Sequence, residues 1–350
     1  MQNLKKTKNL NTIAALAENG LISAQEIATL ESVAQQFSVS ITPQIAELCA
    51  EAETPSADPI RLQFIPDPKE LDIKPHQLQD PIGDNIHSPV PGIVHRHPDR
   101  CLLKPIYTCP VYCRFCFRRE QIGHQVKTLS GEALENAYHY IASKPEIWEV
   151  ILTGGDPLML TPTKLGGILK RLTAIKSVEV IRIHTRVPVV DSKRINDALL
   201  KALTIDKALF ISLHANHPKE FTPEAENAIQ RIIQKGIPMI SQSVLLKGIN
   251  DDPDTLQSLF KKFVKNRIKP YYLHHCDLAE GTEHFRTSIE TGQNIMKTLR
   301  KNVSGLCQPT YVLDLPGGHG KVPLHSSVIH PQEKGCTIED CEGNTHFYPD

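Results

Sequence analysis

Beyond about residue 100 the chain alternates between short apolar runs and longer stretches with helical spacing. The apolar runs are Cys101–Ile106, Val150–Thr153, Val178–His184, Leu209–His214, Met239–Leu245, Tyr271–His274 and Tyr311–Leu313. Their β-branched content and shortness predict buried strands. Most of the gaps predict helices, at Lys164–Ile175, Arg194–Leu203, Pro223–Lys235, Asp254–Lys265 and Ile289–Leu299. Several close on a stop signal such as Lys235-Gly236. Strands alternating with helices pair in parallel through right-handed crossovers. Six or seven such units predict an α/β fold, a complete or partial (β/α) barrel of the TIM type.

Two other textures precede the barrel. Residues 1–54 read as a helical N-terminal segment, in which Ile27, Leu30, Val33 and Phe37 recur at helical intervals and Glu26, Glu31 and Gln35 take other faces. Residues 55–100 read as a Pro-rich segment. Eleven of the 26 prolines lie between residues 55 and 110, which excludes long regular elements. Ile65, Leu71, Ile86, Val90, Ile93 and Val94 make the stretch too apolar for a free linker, so it is expected to wrap, ordered, on the barrel. The barrel is assigned residues 101–325 and a C-terminal tail residues 326–350.

Charge narrows the partners. Lys and Arg number 39 against 39 Asp and Glu, a net charge of zero. No long-range field attracts a polyanion, which argues against nucleic acid. No stretch of eighteen apolar residues exists, which argues against a membrane span. The N-terminus, MQNLKKTKNLNT, is basic but precedes no apolar run, so no secretory signal is expected and the protein is expected to be soluble and cytoplasmic. In that setting the nine cysteines do not predict a disulfide framework.

The strand ends carry the polar residues: Thr153-Gly154-Gly155-Asp156, His184-Thr185-Arg186, His214, Gln242-Ser243, His274-His275-Cys276-Asp277 and Asp314. In a parallel barrel those ends converge on one face, where barrel enzymes place their chemistry, so an enzyme is expected. His274 and His275 are adjacent on a strand and must point opposite ways; one is expected to face the core and one the cavity.

Cys109-Pro-Val-Tyr-Cys113-Arg-Phe-Cys116 follows the first strand. Three thiolates on one loop can reach three corners of a cuboidal cluster, whereas a structural zinc or an electron-transfer [4Fe–4S] site takes four ligands. A zinc ion completed by a distant histidine, or three unrelated thiols, are the alternatives. A second glycine-rich stretch runs from Asp314 to Pro323. It is not a Walker A loop, because Leu315 stands where the first Gly is needed and Val322 replaces Ser/Thr. Lys321 is either a surface lysine after a flexible turn or an amine that can form a Schiff base with a carbonyl cofactor such as pyridoxal phosphate.

The CxxxCxxC pattern resembles the radical S-adenosylmethionine (SAM) superfamily. That resemblance implies a partial barrel of the radical SAM kind and a [4Fe–4S] cluster on Cys109, Cys113 and Cys116, its open iron chelated by SAM. Thr153–Pro157 resembles the superfamily's glycine-rich motif, with Gly154, Gly155 and Asp156 toward the methionine amino group. Two glycines also allow close backbone approach, and an acid complements an ammonium.

The run from His95 to Lys321 is similar to the lysine 2,3-aminomutase family, a pyridoxal-phosphate-dependent branch. Matching stretches include Ser88–Gly92, His95–Arg100, Arg118-Arg119, Arg186–Val190, Asn216–Pro218, Gln242–Leu246, Pro270–Asp277, His284–Thr287 and Asp314–Lys321. The resemblance implies that Lys321 carries pyridoxal phosphate, with Arg96 and Arg100 near its phosphate, as suits guanidinium. It implies that Arg118 grips the substrate carboxylate, that Asp277 and Asp314 bind the side-chain ammonium of lysine, and that His214 and Gln242 contact SAM. Two carboxylates on one cavity select a cation on physical grounds as well. The implied reaction moves the 2-amino group of L-lysine to C3, giving β-lysine, with an electron donor such as flavodoxin or ferredoxin. The alternatives are a β-lysine-forming enzyme dedicated to elongation factor P, or an aminomutase for a related amino acid.

The chain also departs from the family. It stops at Asp350, before the family's zinc-binding C-terminal segment that ties subunits together. Asp252 stands where a further zinc-ligand cysteine is expected, and the spacing of Cys336 and Cys341 does not match the family's segment. No structural zinc is therefore expected, and a homo-oligomer is left open.

Overall fold

The computed structural model describes residues 8–123, 128–325, 328–332, 335–339 and 343–349. Each apolar run becomes a strand of one nine-stranded sheet whose spatial order follows the chain. β1 (Ile93–His97) pairs antiparallel with β2 (Arg100–Ile106). From β2 the sheet runs parallel through β3 (Glu149–Gly154), β4 (Val180–Thr185), β5 (Ala208–His214), β6 (Met239–Leu245), β7 (Ile268–His275) and β8 (Thr310–Leu315). β9 (Gly320–Pro323) returns antiparallel on β8. β1 and β9 are the two edges of the sheet, so the barrel is partial.

The crossover helices lie close to their expected positions: Pro162–Thr173, Pro223–Ile233, Pro253–Lys265 and Ile289–Asn302. Pro at the first position and a Thr or Asp cap start the first three. The stretch expected as one helix over Arg194–Leu203 is split. A 3₁₀ turn spans Ser192–Arg194, and a new helix, Asp197–Ala202, starts where the Asn196 side chain accepts from the Leu199 amide. Arg194 turns away to the carbonyls of Leu158 and Met159.

The N-terminal stretch is helical but broken into Ile13–Glu18, Ile27–Gln36 and Pro43–Ala50. Thr12 and Thr42 each cap a fresh start. Leu30, Val33 and Phe37 are buried and Ile27 half-buried, while Glu31 and Gln35 are exposed, as the spacing predicts. This stretch and the Pro-rich segment hold the cysteine loop from behind. Ser40 accepts from the Tyr112 amide and Gln63 O from the Arg114 amide. The Asn9 and Ser40 side chains both donate to Pro110 O.

At the centre of this backing lies Glu70, fully buried in a Pro68–Leu71 turn. Arg114 donates to it through Nε at 2.9 Å and Nη2 at 2.6 Å, and Arg119 binds the same carboxylate. Arg119 also lies over the Phe37 ring. The two arginines flank Cys116, so one acid ties both sides of the loop.

The tail forms a three-stranded antiparallel sheet of β10 (Ile329–Gln332), β11 (Gly335–Glu339) and β12 (Thr345–Pro349). Lys297 pairs with Glu339 and ties it to the last long helix. Cys336 lies on β11, and Cys341 falls outside the described residues. No helix among the described residues is long and apolar enough to cross a membrane.

Glu70→Ala leaves two guanidinium groups buried without their partner. It is expected to lower unfolding stability by about 3–5 kcal/mol, read by urea denaturation. A loss under about 1 kcal/mol would contradict a paired, desolvated cluster.

Candidate active site

The cysteine loop leaves β2 at Ile106 and runs against the end of β3. The Gly155 amide donates to Ile106 O at 2.6 Å and the Asp156 amide to Thr108 O at 3.0 Å. A Cβ on Gly155 would lie 2.4 Å from Thr108 O, and one on Gly154, at φ 100°, would lie 2.7 Å from Ile106 O. The glycines are thus demanded by the backbone that carries Cys109. The Asp156 carboxylate accepts from the Thr185 hydroxyl and the amides of Leu158 and Arg186, and so joins β3 to β4.

The three thiols influence one another. Burial raises all three, and the Cys109 thiol is pushed up further by Asp156, Cys116 and Cys113. Cys116 is raised to about 11 by burial and then by Cys113. Arg186 works against burial at Cys113, its Nη1 lying 3.2 Å from Sγ. The same guanidinium is held by Gln63 and Glu220 through Nη2. Among the described residues no group of three or more His, Cys, Asp or Glu closes on a single metal ion. Three mutually repelling thiols on one loop, supplied with a guanidinium, fit three corners of a cuboidal cluster.

The second group gathers on β7, β8 and β9. Register places Asp314 opposite Lys321, and Lys321 Nζ donates to Asp314 Oδ1 at 2.6 Å. His274 Nδ1 lies 3.2 Å from Asp314 Oδ2. Burial opposes ionisation of Asp314, but His274 and Lys321 hold its carboxyl well below the usual range. Asp277 behaves oppositely: burial and then Asp314 push it up to about 7, against Lys321 and Arg118. Among the described residues its carboxylate takes no hydrogen bond. His275 turns to the core and meets the Tyr311 hydroxyl, so the two adjacent histidines do face opposite ways.

Lys321 therefore lies beside Asp314, Asp277 and His274 at the strand ends. Arg100, Arg96 and Lys321 all bear on His97, whose pKa burial and these cations depress. Arg96 donates to Ile82 O and keeps a buried Nε without a partner, while Arg100 sits at the rim on Asp99. Gly83 and Gly318 pack so closely that a Cβ on Gly83 would lie 2.7 Å from the Gly318 amide. The Pro-rich segment thus closes on the glycine loop. A reactive amine with two arginines and an unsatisfied guanidinium nitrogen fits a phosphorylated aldehyde such as pyridoxal phosphate.

His214 is lowered to about 3 by burial and then by Arg186 and His274. Its ring lies 5.2 Å from that of His184, and the Nε2 atoms of His184, His214 and His274 are buried without partners. Gln242, opposite His214 on β6, is buried beside them. These orphaned atoms fit a polar ligand such as SAM. Arg118 donates through Nε to Asp84 at 2.8 Å and reaches Thr153 Oγ1 at 3.4 Å.

Several residues here escaped the sequence reading. Asp84 is buried among Arg118, Lys104 and Arg96, which outweigh burial and hold it at about 2. His184, Arg186 and Glu70 were likewise given no role. For Arg186 and His184 the strand-end position was a usable signal; Asp84 and Glu70, in a stretch without periodicity, offered none.

A fold with three cysteines on its first β/α loop, and polar and charged side chains gathered at the same strand ends, defines the radical SAM class, and the sequence profile of the radical SAM superfamily matches residues 103–259. L-lysine 2,3-aminomutase of Methanococcus maripaludis is 40% identical over 305 residues, covering 87% of this chain and 70% of that protein. L-lysine 2,3-aminomutase of Acetoanaerobium sticklandii is 37% identical over 344 residues, covering 97% and 83%. Glutamate 2,3-aminomutase of Clostridioides difficile is 35% identical over 318 residues, covering 91% and 75%. The chain belongs to the lysine 2,3-aminomutase family of radical SAM isomerases, which implies a [4Fe–4S] cluster, SAM and pyridoxal phosphate as cofactors and an amino acid as substrate.

The raised Asp277 sets a pH dependence. Between the ordinary aspartate value of 3.8 and about 7 the folded chain keeps a proton that the unfolded chain has lost, so stability falls as pH rises through that window. Asp277→Asn removes this contribution. Its urea midpoint should drop less than the parent's between about pH 5 and about pH 8; an identical drop would contradict the assignment.

Proposed function

We propose that the protein moves the 2-amino group of L-lysine to C3, giving β-lysine. The observation that carries the reading is the meeting of Asp277, Asp314, Lys321 and Arg118 at the strand ends that also bear the three cysteines.

Cys109, Cys113 and Cys116 would hold the [4Fe–4S] cluster, with Arg186 favouring the thiolate of Cys113. The backbone at Gly154 and Gly155, positioned by Asp156, and the side chains of His214 and Gln242 would contact SAM. Lys321 would hold pyridoxal phosphate, with Arg96 and Arg100 toward its phosphate. When bound, these groups supply a carbon radical able to take a hydrogen from C3 and a carbonyl carbon able to carry nitrogen from C2 to C3.

The chain's own residues do the selecting. Asp84 occupies Arg118 Nε, which fixes the guanidinium plane for a substrate carboxylate. The Asp277 and Asp314 pair would receive a side-chain ammonium. A cation there offsets the cost that burial, and then repulsion from Asp314, imposes on the charged form of Asp277, and with it Asp277 gives up its proton. A glutamate side chain would bring a third carboxylate to the same place, so the pair favours lysine over the glutamate of one relative. Buried walls at the strand ends exclude water. An electron donor such as flavodoxin or ferredoxin would complete the system, and a homo-oligomer is compatible with it.

The test is an anaerobic assay with dithionite, SAM, pyridoxal phosphate and nitrogen-labelled L-lysine. Label should move to C3 in free β-lysine, with kcat/KM for glutamate at least about a hundredfold lower. Product found only on a protein would favour an enzyme dedicated to elongation factor P, and equal turnover of glutamate would overturn the lysine reading. Lys321→Ala should abolish turnover and keep the iron–sulfur absorption; Cys113→Ala should lose both. Activity surviving in either variant contradicts the scheme.

A further inference from the structure

Asp84 is one acid among three cations. Its Oδ2 takes Arg118 Nε at 2.8 Å and lies 3.5 Å from Lys104 Nζ, while Arg96 Nη2 lies 3.8 Å from Oδ1. The four side chains are only 2% to 12% exposed. One negative charge thus sits with three positive ones, away from water. Buried charge without a counter-charge is unfavourable, so such a group is complete only when anions arrive. The ligands bring two: the cofactor's phosphate toward Arg96 and the substrate's carboxylate at Arg118. Lys104 has no part in either assignment.

Lys104 stands on the carboxylate side of this group. It leaves β2 beside the end of β3, where a Cβ on Gly154 would lie 2.9 Å from Lys104 Cβ. Its ammonium shares one oxygen of Asp84 with Arg118, whereas Arg96 faces the other. Besides Asp84 it reaches Gln121 Oε1 at 3.4 Å, an uncharged acceptor. Burial lowers its pKa, and the opposing pull of Asp84 is countered by Arg118. Arg118 is held through Nε by Asp84 and through Nη1 by Thr153 Oγ1, and its Nη2 has no hydrogen-bond partner among the described residues. We propose that Lys104 is a second carboxylate-binding residue, its ammonium joining the open edge of Arg118 on the α-carboxylate of the substrate. Asp84 is the positioning residue that holds the two cations side by side. The pair requires a free carboxyl group and disfavours an amidated or peptide-linked lysine, whose amide carries no charge. This rests on the reading that Arg118 takes the substrate's carboxylate.

The test is a binding measurement. In protein loaded with pyridoxal phosphate and kept without reductant, L-lysine and L-lysinamide are titrated by the change in cofactor absorbance. The amide keeps both amines and lacks the carboxylate charge. The parent should prefer lysine, and Lys104→Met should cut that preference about tenfold through lysine alone, leaving lysinamide within about twofold. Lys104→Gln, which keeps a donor for Asp84 and loses the charge, should cut it to a similar extent. In an Arg118→Met background part of the preference should remain, and adding Lys104→Met should remove it. A preference already gone in Arg118→Met alone would mean that Lys104 acts only through Arg118, which overturns the proposal. Binding of isotopically labelled SAM to cluster-loaded protein should be the same in Lys104→Met as in the parent. Weaker SAM binding with the lysine preference kept would assign Lys104 to the carboxylate of SAM and overturn the proposal. If Lys104→Met and Lys104→Gln both keep the parent's preference, the proposal fails and the Arg118 reading stands. A parent that binds the amide as well as the acid overturns both.

Discussion

A loop that must present three thiols to one cluster has no ladder hydrogen bonds of its own, so its shape has to be imposed from outside. Here the imposition comes from one buried carboxylate. Glu70 sits with no exposure between Arg114 and Arg119, whose chain positions bracket Cys116. Desolvating an acid and two guanidinium groups is unfavourable unless all three are paired, and removal of one member strands the others. The cluster is therefore all or none, which suits a loop whose thiols burial already raises. The thiols resist ionisation on their own, so their geometry must be held before metal arrives.

The same logic accounts for the first hundred residues. They add only one edge strand to the parallel sheet, yet they supply Asn9, Ser38, Ser40, Gln63 and Glu70 to the back of the cysteine loop. They also supply Asp84 and the Ile82–Gly83 turn to the face of the cavity. A Pro-rich chain suits this work, because prolines fix its path without demanding ladder partners. Asp84 gathers Arg118, Lys104 and Arg96, so the arginine assigned to the substrate and one assigned to the cofactor share a single counter-ion. Shifting that acid would disturb both ends of the cavity at once.

What could be read from the sequence follows the range of the interactions. Strands such as Glu149–Gly154 announce themselves because burial on both faces needs a continuous apolar run, and Val150, Ile151 and Leu152 are all buried in it. Helix existence was legible for the same reason. The break before Asp197 was not, because it depends on the Asn196 cap outcompeting continuation of the turn. The cysteines and Lys321 were legible as spacing and as resemblance. Glu70 and Asp84 were not, since Glu70 meets its arginines across 44 and 49 residues of chain, Asp84 meets Arg118 across 34, and a lone acid among prolines has no pattern. The glycines after β3 were seen, but for a different reason. Only the backbone of Thr108 shows why a side chain is forbidden there.

At the strand ends the histidines and the charged groups have separate parts. His184, His214 and His274 are all held neutral, first by burial and then, for His184 and His214, by cationic neighbours. A neutral imidazole offers hydrogen bonds without a net charge to steer or trap a passing cation. Charge is carried instead by the arginines beside His97, Arg118 near Thr153, Arg186 at Cys113 and Asp314, the places to which the proposed reading brings the charges of the ligands. In a site with little water these poles act at high effective strength, because the surrounding dielectric is low. A zwitterionic amino acid with a third charge on its side chain can then satisfy its poles in only one orientation. That restriction falls on the substrate before any reactive group is generated, which suits chemistry whose intermediates would otherwise attack the protein.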